Sequence, residues 1–301
     1  MVKIDIIGAP TAFGQPKLGV SLGPDAVRFC GLKKHLSELG HDVADLGNVY
    51  GSYRPEYGTH DIKNDEGLIN FEQVKDFSEQ LASTVEASLD RNHFPFIVGG
   101  DHSLSIGSIS GMASKYNNLG VLWIDAHGDI NNSETSPSGN IHGMPLGVLL
   151  GEGSEELVNI HHEGAKLKHE NIVLIGVRDL DSGEKTYIKE HGIKCYTMSD
   201  VERLGLDVVI TKSLKYLQDC DGIHLSLDVD SLDPLEIQGT GTKVAGGIFL
   251  SEMLLGLNIL SKTELLVSAD LVEVNPLLDD GNDTAEKAVK IAEYIFGQSQ
   301  L

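Results

Sequence analysis

Short apolar runs alternate along the chain with longer stretches in which apolar residues recur every three or four positions. The runs KIDIIG (3–8), HDVADL (41–46), FPFIVG (94–99), GVLWID (120–125), NIVLIG (171–176), IKCYTM (193–198), GIHLSLD (222–228) and ELLVSAD (264–270) have the length of strands. Several are apolar on both faces, as strands of a parallel sheet covered from both sides are. Between them the spacing predicts helices over 23–38, 71–90, 103–116, 182–191, 204–219, 251–261 and 283–296. Pro24 fits a first helical turn, and Gly192 follows a helix as a stop. This alternation predicts an α/β fold with three layers, α/β/α, around a mostly parallel sheet. No linker, composition break or internal repeat interrupts it, so one domain is expected over 1–301. Three polar stretches, 49–70, 129–144 and 231–247, read as long loops. The last two follow strands that end in aspartate, and in open α/β sheets ligands sit beyond the carboxyl ends of strands.

Composition narrows the function without changing the fold. The chain is 41% hydrophobic, enough for a large core, and carries a net charge of −22. Such an acidic surface repels phosphate backbones and anionic membranes, so neither nucleic acid nor membrane is an expected partner. Cys30, Cys195 and Cys220 are odd in number and lack metal-type spacing. They read as reduced thiols of a cytoplasmic protein. The opening MVKIDIIGAPTAFG lacks the features of a signal peptide, and no apolar run is long enough to span a membrane.

The candidate chemistry lies where strands end. FPFIVGGDHS puts Asp101 and His102 after one strand. LWIDAHGD puts Asp125, His127 and Asp129 after another, and HLSLDVDSLDP puts Asp228, Asp230 and Asp233 after a third. Side chains alternate faces along a strand, so Asp125 with His127, and Asp228 with Asp230, point the same way while extension lasts. A single aspartate after a strand is ordinarily a turn or helix cap. The recurrence in three matching contexts points instead to one cation-binding place. Carboxylates packed together raise one another's pKa, and divalent cations relieve this. Oxygen-rich ligands with a little imidazole suit Mn²⁺, whereas Zn²⁺ sites use more sulfur and nitrogen and Mg²⁺ keeps more water.

GGDHS, DAHGD and SLDVDSLDP, in this order, resemble the three metal motifs of the ureohydrolase superfamily, which includes the arginases and agmatinases. The resemblance extends to GVSLGPDAVR (19–28), SPSGNIHGMPL (136–146), GVRDLDSGE (176–184), GTGT (239–242) and VEVNP (272–276), and so covers almost the whole chain. It implies an eight-stranded parallel sheet flanked by helices and two manganese ions per subunit. Carried over residue by residue, one ion falls to His102, Asp125, Asp129 and Asp228, and the other to Asp125, His127, Asp228 and Asp230. Asp125 and Asp228 would bridge them. Asp101 and Asp233 would then orient a ligand or hold a loop.

The resemblance also implies the reaction. A hydroxide bridging the two ions attacks the carbon of a guanidinium group. Glu273 would hold that guanidinium. Asp129 would pass a proton to the departing amine, and His142 would shuttle protons. The run S-G-N-x-H-G-M-P is closer to arginases than to agmatinases. Asn131, Ser138 and Ser136 match contacts to a substrate α-carboxylate, Asp181 and Asp179 face the α-amino group, and Thr242 in GTGT joins the binding residues. The bland reading of RDLDSGE is a helix cap, which is compatible. The implied activity is hydrolysis of L-arginine to L-ornithine and urea. The alternative is agmatinase or another guanidino-acid amidinohydrolase. A zinc deacetylase of related fold is a further rival, with one ion and fewer carboxylates. So is an inactive relative, against which the complete ligand sets argue.

Two stretches depart from the family. GGIFLSE (246–252) has Ser251 where arginases usually carry an arginine that supports subunit contacts. DPLEIQGTGTK places Glu236, Gln238 and Lys243 where small residues or proline are usual. A homo-oligomer, trimer or hexamer, is expected, with the interface altered at these positions. The chain also has no long tail after its last helix, as in bacterial arginases.

Overall fold

The computed structural model describes residues 1–53 and 62–299. The expected loop over 49–70 lies partly outside the described residues. The chain runs β1 (Lys3–Ala9), α1 (Gly23–Phe29), α2 (Leu32–Glu38), β2 (Asp42–Asn48), α3 (Phe71–Asp90), β3 (Phe94–Gly99), α4 (Ser105–Met112) and β4 (Leu119–Ile124). It continues through α5 (Pro145–Leu149), α6 (Glu155–Val158), β5 (Ile172–Val177), α7 (Ser182–Glu190), β6 (Lys194–Thr197), α8 (Met198–Leu204) and α9 (Leu206–Tyr216). It closes with β7 (Gly222–Asp228), α10 (Leu250–Leu260), β8 (Leu266–Val272) and α11 (Asp283–Ile295).

The strands form one eight-stranded sheet in the order β2-β1-β3-β8-β7-β4-β5-β6. Every pairing is parallel. Alternation along each strand divides the core. Leu122 and Ile124 of β4 join Ile4, Ile6, Phe96, Leu225 and Leu227 on the face covered by α1, α2 and α8 to α11. Val121 and Trp123 join Ile7, Ile97 and Leu174 on the face covered by α3, α4, α5 and α7. Helices therefore cover both faces, which is why the central strands are apolar on both sides.

Boundaries shift where local chemistry interrupts the periodicity. The helix expected over 23–38 is two helices, α1 and α2. Gly31 separates them at φ 86°, a left-handed conformation that glycine adopts at least cost. Helix α8 begins at Met198, the last residue of the run read as a strand over 193–198, and fills the interval before the helix expected over 204–219. Thr197 ends the strand, and its N–H and hydroxyl both reach Asp200 Oδ2, at 3.1 and 2.9 Å, to start the helix. Helices α5 and α6 are too short to show a period. No helix among the described residues is long and apolar enough to cross a membrane.

Asp5 illustrates how the sheet handles a charge away from the cleft. It sits inside β1, 1% exposed. Its carboxylate accepts hydrogen bonds from Ser88 Oγ at 2.7 Å and Arg91 Nη2 at 2.7 Å, and contacts His93 Nδ1 at 3.0 Å. Burial alone would raise its pKa, but hydrogen bonds from His93, Ser88 and Arg91 outweigh it and hold the carboxyl below its ordinary 3.8. A depressed folded-state pKa stabilises the fold fully above the unfolded value, and that stability is lost as pH falls through the folded value. Asp5→Asn is therefore expected to flatten the fall in stability between about pH 4 and pH 2, read from urea unfolding midpoints across that range. An unchanged slope would show that the carboxylate gains nothing from its partners.

Candidate active site

Five neighbouring strands, β3, β8, β7, β4 and β5, deliver the polar residues to one end of the sheet. His102 follows β3, Asp125, His127 and Asp129 follow β4, Asp228 ends β7 with Asp230 just beyond, and Glu273 follows β8. Asp179 and Asp181 follow β5. Parallel strands all present the same terminus, so motifs distant in sequence meet at one edge.

The ligand atoms converge in two overlapping sets. His102 Nδ1 lies 3.0 Å from Asp125 Oδ2, 3.0 Å from Asp129 Oδ2 and 3.3 Å from Asp228 Oδ2. His127 Nδ1 lies 3.3 Å from Asp125 Oδ1 and 3.3 Å from Asp230 Oδ2. Asp125 thus places one carboxylate oxygen in each set. His102 Nδ1 is buried and completes no hydrogen bond in spite of these neighbours. Burial and the charge of Asp125 push the Asp129 carboxyl up to about 6, against the opposing pull of His102 and His127. Burial, Asp230 and Asp125 also raise Asp228 well above the carboxylate range. Groups that repel this strongly, around a buried imidazole nitrogen that completes no hydrogen bond, make a donor set that fits divalent cations.

The surroundings fix these side chains. The His102 ring stacks on Trp123 with centroids 4.1 Å apart and planes 6° off parallel. Its Nε2 meets Ser226 Oγ at 2.8 Å, which leaves Nδ1 to face the carboxylates. The Asp230 carboxylate accepts from Thr242 Oγ1 at 2.7 Å. Arg178 donates to the carbonyls of Asp230, Ser231 and Leu232 and so ties the loop after β7 to β5. Asp101 and Asp233 sit outside both sets. Asp101 accepts backbone N–H groups of Gly14 and Ser103, and Asp233 those of Leu235, Gly246 and Gly247. Gly100 precedes Asp101 because a Cβ there would lie 2.1 Å from the Thr11 carbonyl oxygen. Asp129 and Glu273 hold left-handed backbones at φ 51° and 65°, conformations that cost energy outside glycine and cluster at functional sites.

A cleft of about 180 Å³ opens over this floor. Its walls include Asn131, Ser136, Ser138, His142, Asp179, Asp181 and Thr242. Asn131 Nδ2 donates to Asp181 Oδ2 at 3.0 Å, while its own Oδ1 is buried without a partner. Glu273 lies beneath, 2% exposed, with Oε1 accepting the His102 N–H at 3.0 Å and 3.6 Å from His142 Nδ1. Burial would lower the His142 pKa, but the Glu273 carboxylate wins and holds it above 6.5.

Two lining residues escaped the sequence reading. Glu184 accepts from the backbone of Asp181 at 2.9 Å and of Ile130 at 3.2 Å. Burial, with Asp129 adding repulsion, raises it to about 7. The capping pattern of RDLDSGE announced it, but as a helix cap only. Asn140 also lines the cleft; it stands in the run S-G-N-x-H-G-M-P but was given no role there. The unusual residues of the neighbouring loop bind one another: Lys243 Nζ donates to the Gln238 carbonyl at 2.8 Å, and Glu236 accepts the Leu250 N–H.

The sequence model of the arginase family matches residues 2–297. An arginase of Staphylococcus aureus (strain COL) is 50% identical over 301 residues, covering 99% of this chain and 98% of its own. An arginase of Bacillus subtilis (strain 168) is 48% identical over 298 residues, covering 99% of both. The crystal structure of arginase from Bacillus caldovelox superposes with a TM-score of 0.95 at 45% identity, covering all of both chains.

A donor set under this much repulsion gains stability from a cation. Chelation is expected to lower the melting temperature by several degrees, and Mn²⁺ to restore it with a dependence on its concentration. Calorimetric scans before and after chelation check this. Identical melting curves with and without metal would mean that the carboxylates coexist unaided.

Proposed function

The chain belongs to the arginase family, and from that premise we propose that it hydrolyses L-arginine to L-ornithine and urea with two Mn²⁺ ions per subunit. The observation that carries the two-ion reading is the split of the Asp125 carboxylate, one oxygen toward the His102 set and the other toward His127 and Asp230. His102, Asp125, Asp129 and Asp228 would hold one ion, and Asp125, His127, Asp228 and Asp230 the other. When bound, the ions acidify water, which supplies a strong nucleophile at neutral pH.

The protein's own groups do the rest. Guanidinium is delocalised and barely electrophilic, so the substrate carbon must be held close and in one orientation. The buried Glu273 carboxylate is the anion under the cleft that orients it. Addition of water forms a carbon–oxygen bond. Collapse then breaks the bond from that carbon to the side-chain nitrogen, leaving urea and the ornithine amine. The amine departs only when protonated. Asp129 accepts a proton from the attacking water and delivers it to that nitrogen. His142, at the cleft wall, exchanges protons with solvent.

Specificity comes from the outer wall. The Asn131 amide and the Ser138 and Ser136 hydroxyls meet the α-carboxylate. Asp181 and Asp179 pair with the α-ammonium, and Thr242 supports the wall through its bond to Asp230. Agmatine lacks the carboxylate and leaves those donors unpaired, which is expensive in a closed site. The net charge of −22 draws a cationic substrate inward. Assembly into a homo-oligomer is part of the same reading, supported by the exposed Leu235, Phe249 and Leu255 near Ser251.

Urea release from arginine is expected to exceed release from agmatine by at least about 100-fold in kcat/KM. Comparable turnover of agmatine would contradict the proposed specificity. Asp129→Asn and Glu273→Gln are each expected to lower kcat by at least about 100-fold, with Glu273→Gln keeping its manganese. Elemental analysis beside steady-state kinetics tests both variants, and a Glu273→Gln variant that turns over normally would remove that residue from the reaction.

A further inference from the structure

A second group of ligand-type side chains lies outside the cleft lining. Glu86 of α3, with His161 and His162 from the loop after α6, brings one ligand atom each to within 4.8 Å of one another. His161 Nε2 stands 3.0 Å from Glu86 Oε2. That nitrogen is buried and completes no hydrogen bond, so it is aimed at the carboxylate without being satisfied by it. The two imidazoles meet edge to face, centroids 4.6 Å apart.

The loop holds this arrangement before any ligand arrives. His162 N–H donates to the Ile160 carbonyl at 2.7 Å around His161 at φ 63°, a tight three-residue turn that is costly outside glycine. Gly164 N–H donates to Asn159 Oδ1 at 2.8 Å. Lys166 Nζ donates to the carbonyls of Val158, His162 and Gly164, so its ammonium is committed to the backbone. Burial and the neighbouring His161 hold the His162 pKa below 6.5, which keeps its lone pair free at neutral pH.

We propose that Glu86, His161 and His162 form a second divalent metal site, selective for an imidazole-preferring ion of the zinc class, which clasps the loop after α6 to helix α3. Two imidazoles and one carboxylate match a three-ligand zinc site whose fourth position is left to water. The contrast with the cleft is chemical. The cleft is dominated by carboxylate oxygen and suits manganese, whereas this site is dominated by nitrogen. The ion would satisfy the orphaned His161 nitrogen and offset the strain of its turn. This site is independent of the reading of the cleft.

The test takes manganese-saturated protein, exposes it to a slight excess of Zn²⁺, removes free metal and counts zinc and manganese per chain. Wild type is compared with Glu86→Gln, His162→Ala and His161→Asn; asparagine tolerates the left-handed backbone. Any exchange of zinc into the cleft is common to all four proteins and cancels. Wild type is expected to retain one zinc more per chain than each variant, with equal manganese and equal urea release from arginine. Zn²⁺ is also expected to raise the melting temperature of wild type above any shift it causes in the variants. Equal zinc content in all four proteins would overturn the site. Loss of urea release from the manganese-loaded wild type would count against the arginine reading alone.

Discussion

Four buried carboxylates, Asp125, Asp129, Asp228 and Asp230, meet at one edge of a sheet, and among the described residues no arginine or lysine forms an ion pair with them. Burial penalises each charge and proximity compounds the penalty. The two histidines, His102 and His127, supply the positive partner only in part, and His102 Nδ1 is left buried without a completed hydrogen bond. Every other feature of the site makes sense as a way of holding this repelling set together for a cation. The stack of His102 on Trp123 and its bond to Ser226 fix one imidazole. The left-handed backbones of Asp129 and Glu273 aim two carboxylates that an extended chain would point elsewhere.

The loops are held by charge as well. Arg178 binds three consecutive carbonyls beyond β7, and Asp101 and Asp233 collect backbone N–H groups from loops on either side. The cleft therefore has a rigid floor without a bound ligand. That is the condition under which oriented donors stabilise a transition state instead of relaxing around the substrate.

Much of this was visible in the chain itself. A strand apolar at every position, such as LGVLWI, belongs in a covered parallel sheet, and several such runs among eight strand-length ones separated by amphipathic stretches leave few architectures. The order of strands was not visible, because periodicity says which residues are buried and not which strand lies beside which. That β3, β8, β7, β4 and β5 are neighbours is what brings His102, separated by more than twenty residues from Asp125, into contact with it. Residues carrying a strong motif were easy to single out. Glu184 was masked because a capping glutamate and a cleft glutamate have the same sequence signature, and the structure gives it both contacts. Arg178 stands in GVRDLDSGE with no role assigned to it from the sequence. Only the fold shows that its guanidinium is spent on carbonyls.

The fold-level argument and the chemical argument converge on Asp125, the first residue beyond β4. The most direct measurement is anomalous X-ray scattering at the manganese edge from crystals of the metal-loaded protein. The account predicts two manganese peaks per chain, with Asp125 contributing one oxygen to each and His102 and His127 on opposite ions. A single peak, or two ions of which only one touches Asp125, would contradict it.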